Sequence, residues 1–389
     1  MQNLLWLLLP VAAMSGWFAA RRVGMGRQGR SPVQALQSEY YKGINYLLNE
    51  QPDKAIDAFI RVLEVDSETV ETHLALGNLY RRRGEVDRAI RIHQNLIARP
   101  TLDPEQRNES LLELAQDYLS AGLLDRAEDL FREISASKDY KVQGLRQLID
   151  IYEQEKDWDK ATEAARELAV VTGSDLGQVV AQYLCEDAER SWAKRDGPGA
   201  FALLDEAMKA DPACARANLI RGQIHVEEGD YASARDAYVA IENQDADYLP
   251  ETIERVRHCF EALGDHEGLK SYLTGILDKF GGMTATLALA ELTYAERGEH
   301  EAAEFIIEQL RRRPTLRGFD RLLELELSEA AATAPDHLSI LKGLMDKLME
   351  DRPIYRCSHC GFPGRLLHWQ CPGCKHWGTV RPVQGVEGE

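Results

Sequence analysis

"LALGNLYRRRGEVDRAIRIH", residues 74–93, repeats the plan of "YKGINYLLNEQPDKAIDAF", residues 41–59. Gly43 and Gly77 are 34 residues apart, as are Tyr46 and Tyr80, Ala55 and Ala89, and Phe59 and His93. A small, an aromatic, a small and an aromatic position therefore return at fixed offsets. Such a pattern reads as two antiparallel helices per unit. The small residues let the two helices approach, and the aromatics fill the wedge between neighbouring pairs.

The period continues along the chain. "LAQDYLSAGLLDRAEDLF", residues 114–131, puts Ala115, Tyr118, Ala127 and Phe131 in the same places after an insertion near "TLDPEQ". Ala161 follows by 34, and Ala200 by 39 across "GSDLGQ". Ala234, Gly268 and Ala302 then fall at intervals of 34. A period of 34 with these positions is the tetratricopeptide pattern. It predicts an all-α superhelical solenoid over 35–350, with eight repeats and a degenerate capping pair at 318–350. The last pair is expected to present a polar end, because nothing stacks beyond it. The repeats supply a groove suited to a peptide or a protein surface.

Composition narrows the partners. The chain has 389 residues and a formal net charge of -18, which argues against nucleic acid, since phosphate binding needs a basic surface. The acid is concentrated in the repeats. Residues 1–38 hold no acid and four arginines, Arg21, Arg22, Arg27 and Arg30. Cys185, Cys214 and Cys259 are scattered through helical sequence and read as small buried residues, which fits a reducing compartment.

Leu4 to Ala20 is an uncharged apolar run of 17 residues. As a helix it would span ~26 Å, close to a hydrocarbon core. Trp6 and Trp17 lie near its ends, where indoles favour the interface. A cleaved signal peptide would carry its positive charge before the run, whereas here Arg21-Arg22 follow it. The reading is an uncleaved transmembrane anchor over 1–22 and a linker over 23–34, with the bulk of the chain on the cytoplasmic side. "GMGRQG", residues 24–29, matches a dinucleotide-binding pattern but lacks its strand and helix, so it belongs to the linker.

The repeats show no metalloprotease, phosphate-loop or nucleophile-elbow motif. "RRRG" at 81–84 and "RRRP" at 311–314 read as helix ends whose arginines oppose the dipole. Trp158 and Trp192 read as packing residues. The expectation is a protein that is not an enzyme.

Chemistry is concentrated near the C-terminus instead. "RCSHCGFPGRLLHWQCPGC", residues 356–374, carries two Cys-x-x-Cys pairs separated by ten residues. Cys357, Cys360, Cys371 and Cys374 are therefore candidate ligands of one tetrahedral ion. Gly361 and Gly373 are expected to permit the two knuckle turns. Phe362, Leu366, Leu367, Trp369 and Trp377 are expected to cover the site. Residues 351–389 are too few to build a core alone, so the metal must supply much of the folding energy. Four thiolates close the shell, which favours a structural zinc, one per chain, over a catalytic one. Iron is the second reading, since a tetrahedron of four cysteines also suits an electron carrier. His359, His368 and His376 are read as surface residues.

An N-terminal anchor, a long tetratricopeptide array and a C-terminal rubredoxin-like zinc ribbon, in that order, resemble the lipopolysaccharide assembly protein B family of Gram-negative bacteria. The resemblance rests on "LLLPVAAMSGWFAARR", "LGNLYRRRGEVDRAIRIHQ" and "YRCSHCGF…CPGCKHWGTVRP" and spans essentially the whole chain. It implies a non-catalytic adaptor in the cell inner membrane that regulates lipopolysaccharide biosynthesis. The implied partners are a membrane-anchored AAA+ zinc protease, the lipid A deacetylase as client, and an inner-membrane lipopolysaccharide sensor. A general scaffold for lipopolysaccharide assembly complexes is the alternative, and homo-oligomerisation is left open. The fifth and seventh repeats depart from the pattern at Ser191 and Gly268.

Overall fold

A computed structural model describes residues 14–15, 17–18, 32–65, 69–329, 336–350 and 352–388. Among them, helices pair in sequence order from Pro32 to Glu350. The pairs are Pro32–Leu48 with Pro52–Val65, Val70–Arg82 with Val86–Ile97, Pro104–Ser120 with Leu124–Ser135, and Gly177–Ala193 with Gly197–Ala210, and between the last two come Lys141–Glu155 and Trp158–Thr172, counted as the fourth pair by their order in the chain. They continue as Ala215–Glu228 with Tyr231–Ala240, Leu249–Leu263 with His266–Lys279, Met283–Arg297 with Glu299–Arg312, and Leu316–Glu329 with Asp336–Glu350. A sheet follows, of β1 (Tyr355–Cys357), β2 (Pro363–Gly364) and β3 (Val380–Pro382) in the order β2-β1-β3. The chain forms two compact units, Met1–Ile151 and Tyr152–Glu389.

The apolar run Leu4–Ala20 lies outside the described residues except at Met14, Ser15, Trp17 and Phe18, which are helical and exposed. Among the described residues no helix is long and apolar enough to cross a membrane. Arg21, Arg22 and the "GMGRQG" linker are outside the described residues.

One turn recurs through the first seven pairs. The N–H groups of Gln51, Glu85, Leu123, Asp157, Asp196, Asp230 and Asp265 each donate to the carbonyl five residues earlier. The residue just before each of these donors is left-handed: Glu50, Gly84, Gly122, Lys156, Arg195, Gly229 and Gly264, with φ between 54° and 81°. This arrangement satisfies the carbonyls that the helix end leaves orphaned. Glycine adopts it freely, whereas Glu50, Lys156 and Arg195 do so at a cost of ~1 kcal/mol each. The side chains of Asp157, Asp196, Asp230 and Asp265 then cap the second helix, accepting from the N–H three residues on.

Counting from that turn locates the small residue of each pair. Ala55, Ala89, Ala127, Ala161, Ala200 and Ala234 lie four residues after it and are fully buried. In the seventh pair the position belongs to Leu269, which is fully buried, and not to Gly268. Gly268 is the half-buried residue whose N–H meets the Asp265 cap. The slip has a local cause. Tyr231–Ala240 is short and continues into two 3-10 turns, Ile241–Asn243 and Ala246–Tyr248, which shift the following repeat by one residue.

In the first unit His93 stands where Phe59 and Phe131 stand in their own pairs, and all three are fully buried. Gly77 leaves room for its ring, which a methyl group there would overlap. His93 Nδ1 lies 2.6 Å from Asp117 Oδ2, and Arg81 reaches Asp117 Oδ1 at 2.7 Å and Glu113 at 2.6 Å. Arg81 therefore does more than end a helix, because it ties its repeat to the next. Asp117 has no exposed surface. Asp117→Ala is expected to cost about 3–5 kcal/mol, because it takes one of two carboxylates from the partly buried Arg81 and leaves the buried His93 Nδ1 without its partner. Asp117→Asn should cost less. Urea unfolding checks this, and a loss below about 1 kcal/mol for the alanine variant would show the pair to be dispensable.

The terminal pair does not end in the polar face expected of it. Ile340, Leu341, Leu344 and Leu348 on Asp336–Glu350 are 46–60% exposed. The inward positions are taken by Met345 and by Lys342, which pairs with Asp320, Glu324 and Asp346. Ile340, Leu344 and Leu348 are then spaced one turn apart on the outer side.

Candidate metal centre

The two Cys-x-x-Cys segments fold alike. The N–H of Cys357 donates to the Phe362 carbonyl and that of Gly361 to the Cys357 carbonyl. In the second segment the N–H of Cys371 donates to the His376 carbonyl and that of Lys375 to the Cys371 carbonyl. Each knuckle needs one left-handed residue, which is Gly361 in the first (φ 78°) and Lys375 in the second (φ 61°). Gly373 is not that residue. It sits against Phe362 and the Cys360 sulfur, where a side chain would be crowded.

β1 pairs with both other strands, Cys357 opposite Val380 and Arg356 opposite Pro363 and Arg381. This holds the first knuckle over the second. The four sulfurs of Cys357, Cys360, Cys371 and Cys374 lie within 4.8 Å of one another. Cys357 to Cys374 is 3.8 Å and Cys360 to Cys371 is 3.7 Å. A tetrahedron with metal–sulfur bonds of ~2.3 Å has edges of ~3.8 Å, so the cluster fits one four-coordinate ion. The same edge serves zinc and iron.

The electrostatics also call for a cation. Burial resists ionisation of Cys357, but the nearby Thr379 hydroxyl and the N–H groups of Cys360 and His359 outweigh it and bring the thiol down to about 5. Cys374 goes the other way: the N–H of His376 favours its thiolate, yet burial and the neighbouring sulfurs push it up to about 12. Four thiolates at this spacing repel one another unless a positive ion lies between them.

The aromatic residues do not all cover the sulfurs. Phe362 and Leu367 pack on the buried cluster of Cys357, Cys371 and Val380. Leu366 is 71% exposed and covers nothing. Trp369 turns toward the helices, its ring 5.2 Å from Tyr248 and 5.6 Å from the Arg216 guanidinium. Trp377 packs edge-on against Trp158 at 5.8 Å and Tyr183 at 5.7 Å, and Trp158 stacks on Tyr183. Trp158 is thus a packing residue, and what it packs against is the ribbon.

One carboxylate organises this contact. Glu153 accepts from the Trp377 indole at 2.8 Å, from Gln370 at 3.0 Å and from the Tyr183 hydroxyl. Around it, Arg381 pairs with Asp245 at 2.9 Å and with Asp247, Tyr355 donates to Glu251, and Tyr248 donates to the Val380 carbonyl at 3.2 Å. Glu153, Tyr183, Arg216 and Glu251 come from the first helices of four successive pairs. In this unit, therefore, the first-helix face that a repeat array offers to a ligand is covered by the chain's own ribbon.

Residues 355–382 match a family model described as a rubredoxin metal binding domain, and 72–107 and 188–248 match tetratricopeptide repeat models. Over 390 residues the chain is 38% identical to lipopolysaccharide assembly protein B of Escherichia coli K12, covering 100% of both chains. It is 32% identical over 397 residues to lipopolysaccharide assembly protein B of Haemophilus influenzae Rd, again covering 100% of both. The chain belongs to the lipopolysaccharide assembly protein B family. A solved structure of MamA protein is also similar, at 20% identity, 46% coverage of this chain, 94% of that one and a TM-score of 0.35.

In this member of the lipopolysaccharide assembly protein B family, the residues that hold ribbon to helices were not recognisable as a group in the sequence. Glu153, Arg216, Asp245 and Asp247 look like ordinary helix-surface charges there. The scattered cysteines are buried as read, with Cys185 and Cys214 bringing their sulfurs to 3.9 Å. Trp192 is half-buried and donates to Glu227 at 2.7 Å.

Proposed function

We propose that this chain is a non-catalytic adaptor of lipopolysaccharide biosynthesis at the cell inner membrane. In this reading the run Leu4–Ala20 is a single-pass anchor, and the helix pairs and ribbon lie on the cytoplasmic side. Cys357, Cys360, Cys371 and Cys374 hold one structural zinc ion. The adaptor presents the lipid A deacetylase to a membrane-anchored AAA+ protease, and an inner-membrane lipopolysaccharide sensor opposes it. The names of its relatives support the lipopolysaccharide role.

The observation that carries the mechanism is the clamp on Glu153. It ties the ribbon to the helices within the second unit and occupies the first-helix face there. A client is then left the repeats of the first unit, and a protease the outward side of the ribbon. Anchoring raises the effective concentration of both surfaces toward another membrane protein.

The deciding measurement is the half-life of the deacetylase at matched expression. A fragment starting at Ser31 loses the anchor, and a chain lacking 354–389 loses the ribbon. Each is expected to lengthen the half-life toward that of a deletion strain. Equal half-lives in full-length, truncated and deleted strains would leave the general assembly scaffold as the better reading.

A further inference from the structure

The ribbon does not fill all of the face it occupies. Beside it lies a cleft of about 790 Å³, lined by the first helices of the last three pairs, by Asp336–Glu350 and by the ribbon from Arg352 to Tyr355 and at Pro382 and Val383. Its apolar lining comes from Leu287, Ala288, Met349, Ile354 and Val383, and Ile354 is 52% exposed. A second recess, of about 500 Å³, lies between Leu367 and Trp369 of the ribbon and Trp192, Leu219 and Ile220 of the helices. The two openings share Glu251 as a wall.

Their charges differ, and the difference describes a ligand. The cleft is lined by seven carboxylates and three arginines, and one of those arginines, Arg352, is already paired with Glu387. Lys342 and Arg257 neutralise part of the remainder, Lys342 by its pairs with Asp320 and Asp346 and Arg257 by its pair with Glu254. The balance stays negative. Glu251 meets the Tyr355 hydroxyl rather than a cation. The recess is balanced instead, with Arg216 and Arg255 against Glu189 and Glu251, so its apolar walls decide what it accepts.

We propose that cleft and recess together hold an extended, lysine- or arginine-rich segment of a partner protein, with one apolar side chain of that segment in the recess. Long basic side chains suit the cleft, because their aliphatic stems lie on Ile354, Met349 and Val383 while their charged heads reach the carboxylates at its rim. Leucine or a similar side chain suits the recess, where it is taken out of water between Trp369 and Leu219. The ribbon thereby does more than cover the helices: it supplies one wall of each opening. The site is separate from the four sulfurs, and the inference does not depend on the protease reading.

The test is fluorescence anisotropy of the full-length chain in a non-ionic detergent. The probe is a short fluorescein-labelled peptide of lysine and serine with leucines at both ends. The expected result is binding that weakens as salt is raised. Glu291→Lys/Glu350→Lys reverses two exposed carboxylates on different walls of the cleft and should lower the affinity at least about tenfold. Glu163→Lys/Glu167→Lys makes the same change of charge on Trp158–Thr172, outside both openings, and should leave the affinity within about twofold. Replacing the peptide's leucines by serine should also cost about tenfold, through the recess. A peptide that does not bind overturns the proposal. So does an equal loss in the two double variants, or a leucine-free peptide that binds as well as the original.

Discussion

Removing the metal from Cys357, Cys360, Cys371 and Cys374 is expected to unfold the ribbon and lift its tryptophans off the helices in one step. The ribbon's own resources are small. Its strands are three, two and three residues long, and its buried centre is Cys357, Cys371 and Val380. Structural zinc supplies ~10–16 kcal/mol in comparable small folds, which is more than such a core can replace. Strong chelation, or Cys371→Ser, should therefore move Trp369 and Trp377 into water and take from Trp158 its edge-on partner. Tryptophan emission should shift to the red, and proteolysis should begin beyond Arg352. A metal-free chain with unchanged emission and unchanged cleavage would show that the sulfurs are not what folds the ribbon. The untreated chain, with its metal in place, separates the two occupants. A colourless chain with one zinc ion fits the structural reading, whereas a visible iron–thiolate band would favour an electron carrier.

Glu153→Ala is expected to loosen the ribbon from the helices while leaving its metal in place. Three donors converge on this carboxylate, and two of them, Trp377 Nε1 and Gln370 Nε2, belong to the ribbon. Hydrogen bonds to a charged acceptor are worth ~1.5–3 kcal/mol each, and losing the shared acceptor leaves all three donors without it. A cost of about 3–5 kcal/mol follows, below the simple sum because the three act as one unit. Glu153→Gln keeps one acceptor oxygen and the shape, and should cost less. Hydrogen exchange at ribbon amides reads the difference, with metal content per chain unchanged. Unchanged exchange in the alanine variant would mean that the aromatic contacts of Trp369 and Trp377 suffice for docking.

Much of this architecture is local chemistry and was legible in the sequence. The 34-residue return of Tyr46, Ala55 and Phe59 encodes a helix, a left-handed turn and a helix, and each of these depends on neighbours only a few residues away. The two Cys-x-x-Cys pairs are equally local, since each knuckle closes within five residues. Positions that rest on small shifts were harder to read. Leu269 replaces Gly268 because a pair of 3-10 turns changes the count, and Lys375 takes the left-handed place expected of Gly373.

The tertiary structure alone decided what the ribbon is for within the fold. Trp377 finds Glu153 across 224 residues, Gln370 finds it across 217, and Arg381 finds Asp247 across 134. No periodicity links such residues, because their pairing depends on how several helix pairs stack and on which face that stacking turns inward. A tryptophan near a metal site and a glutamate at the end of a helix have many possible partners in sequence. Packing selects one, because burying the indole N–H is tolerable only where an acceptor waits for it, and here that acceptor is the Glu153 carboxylate.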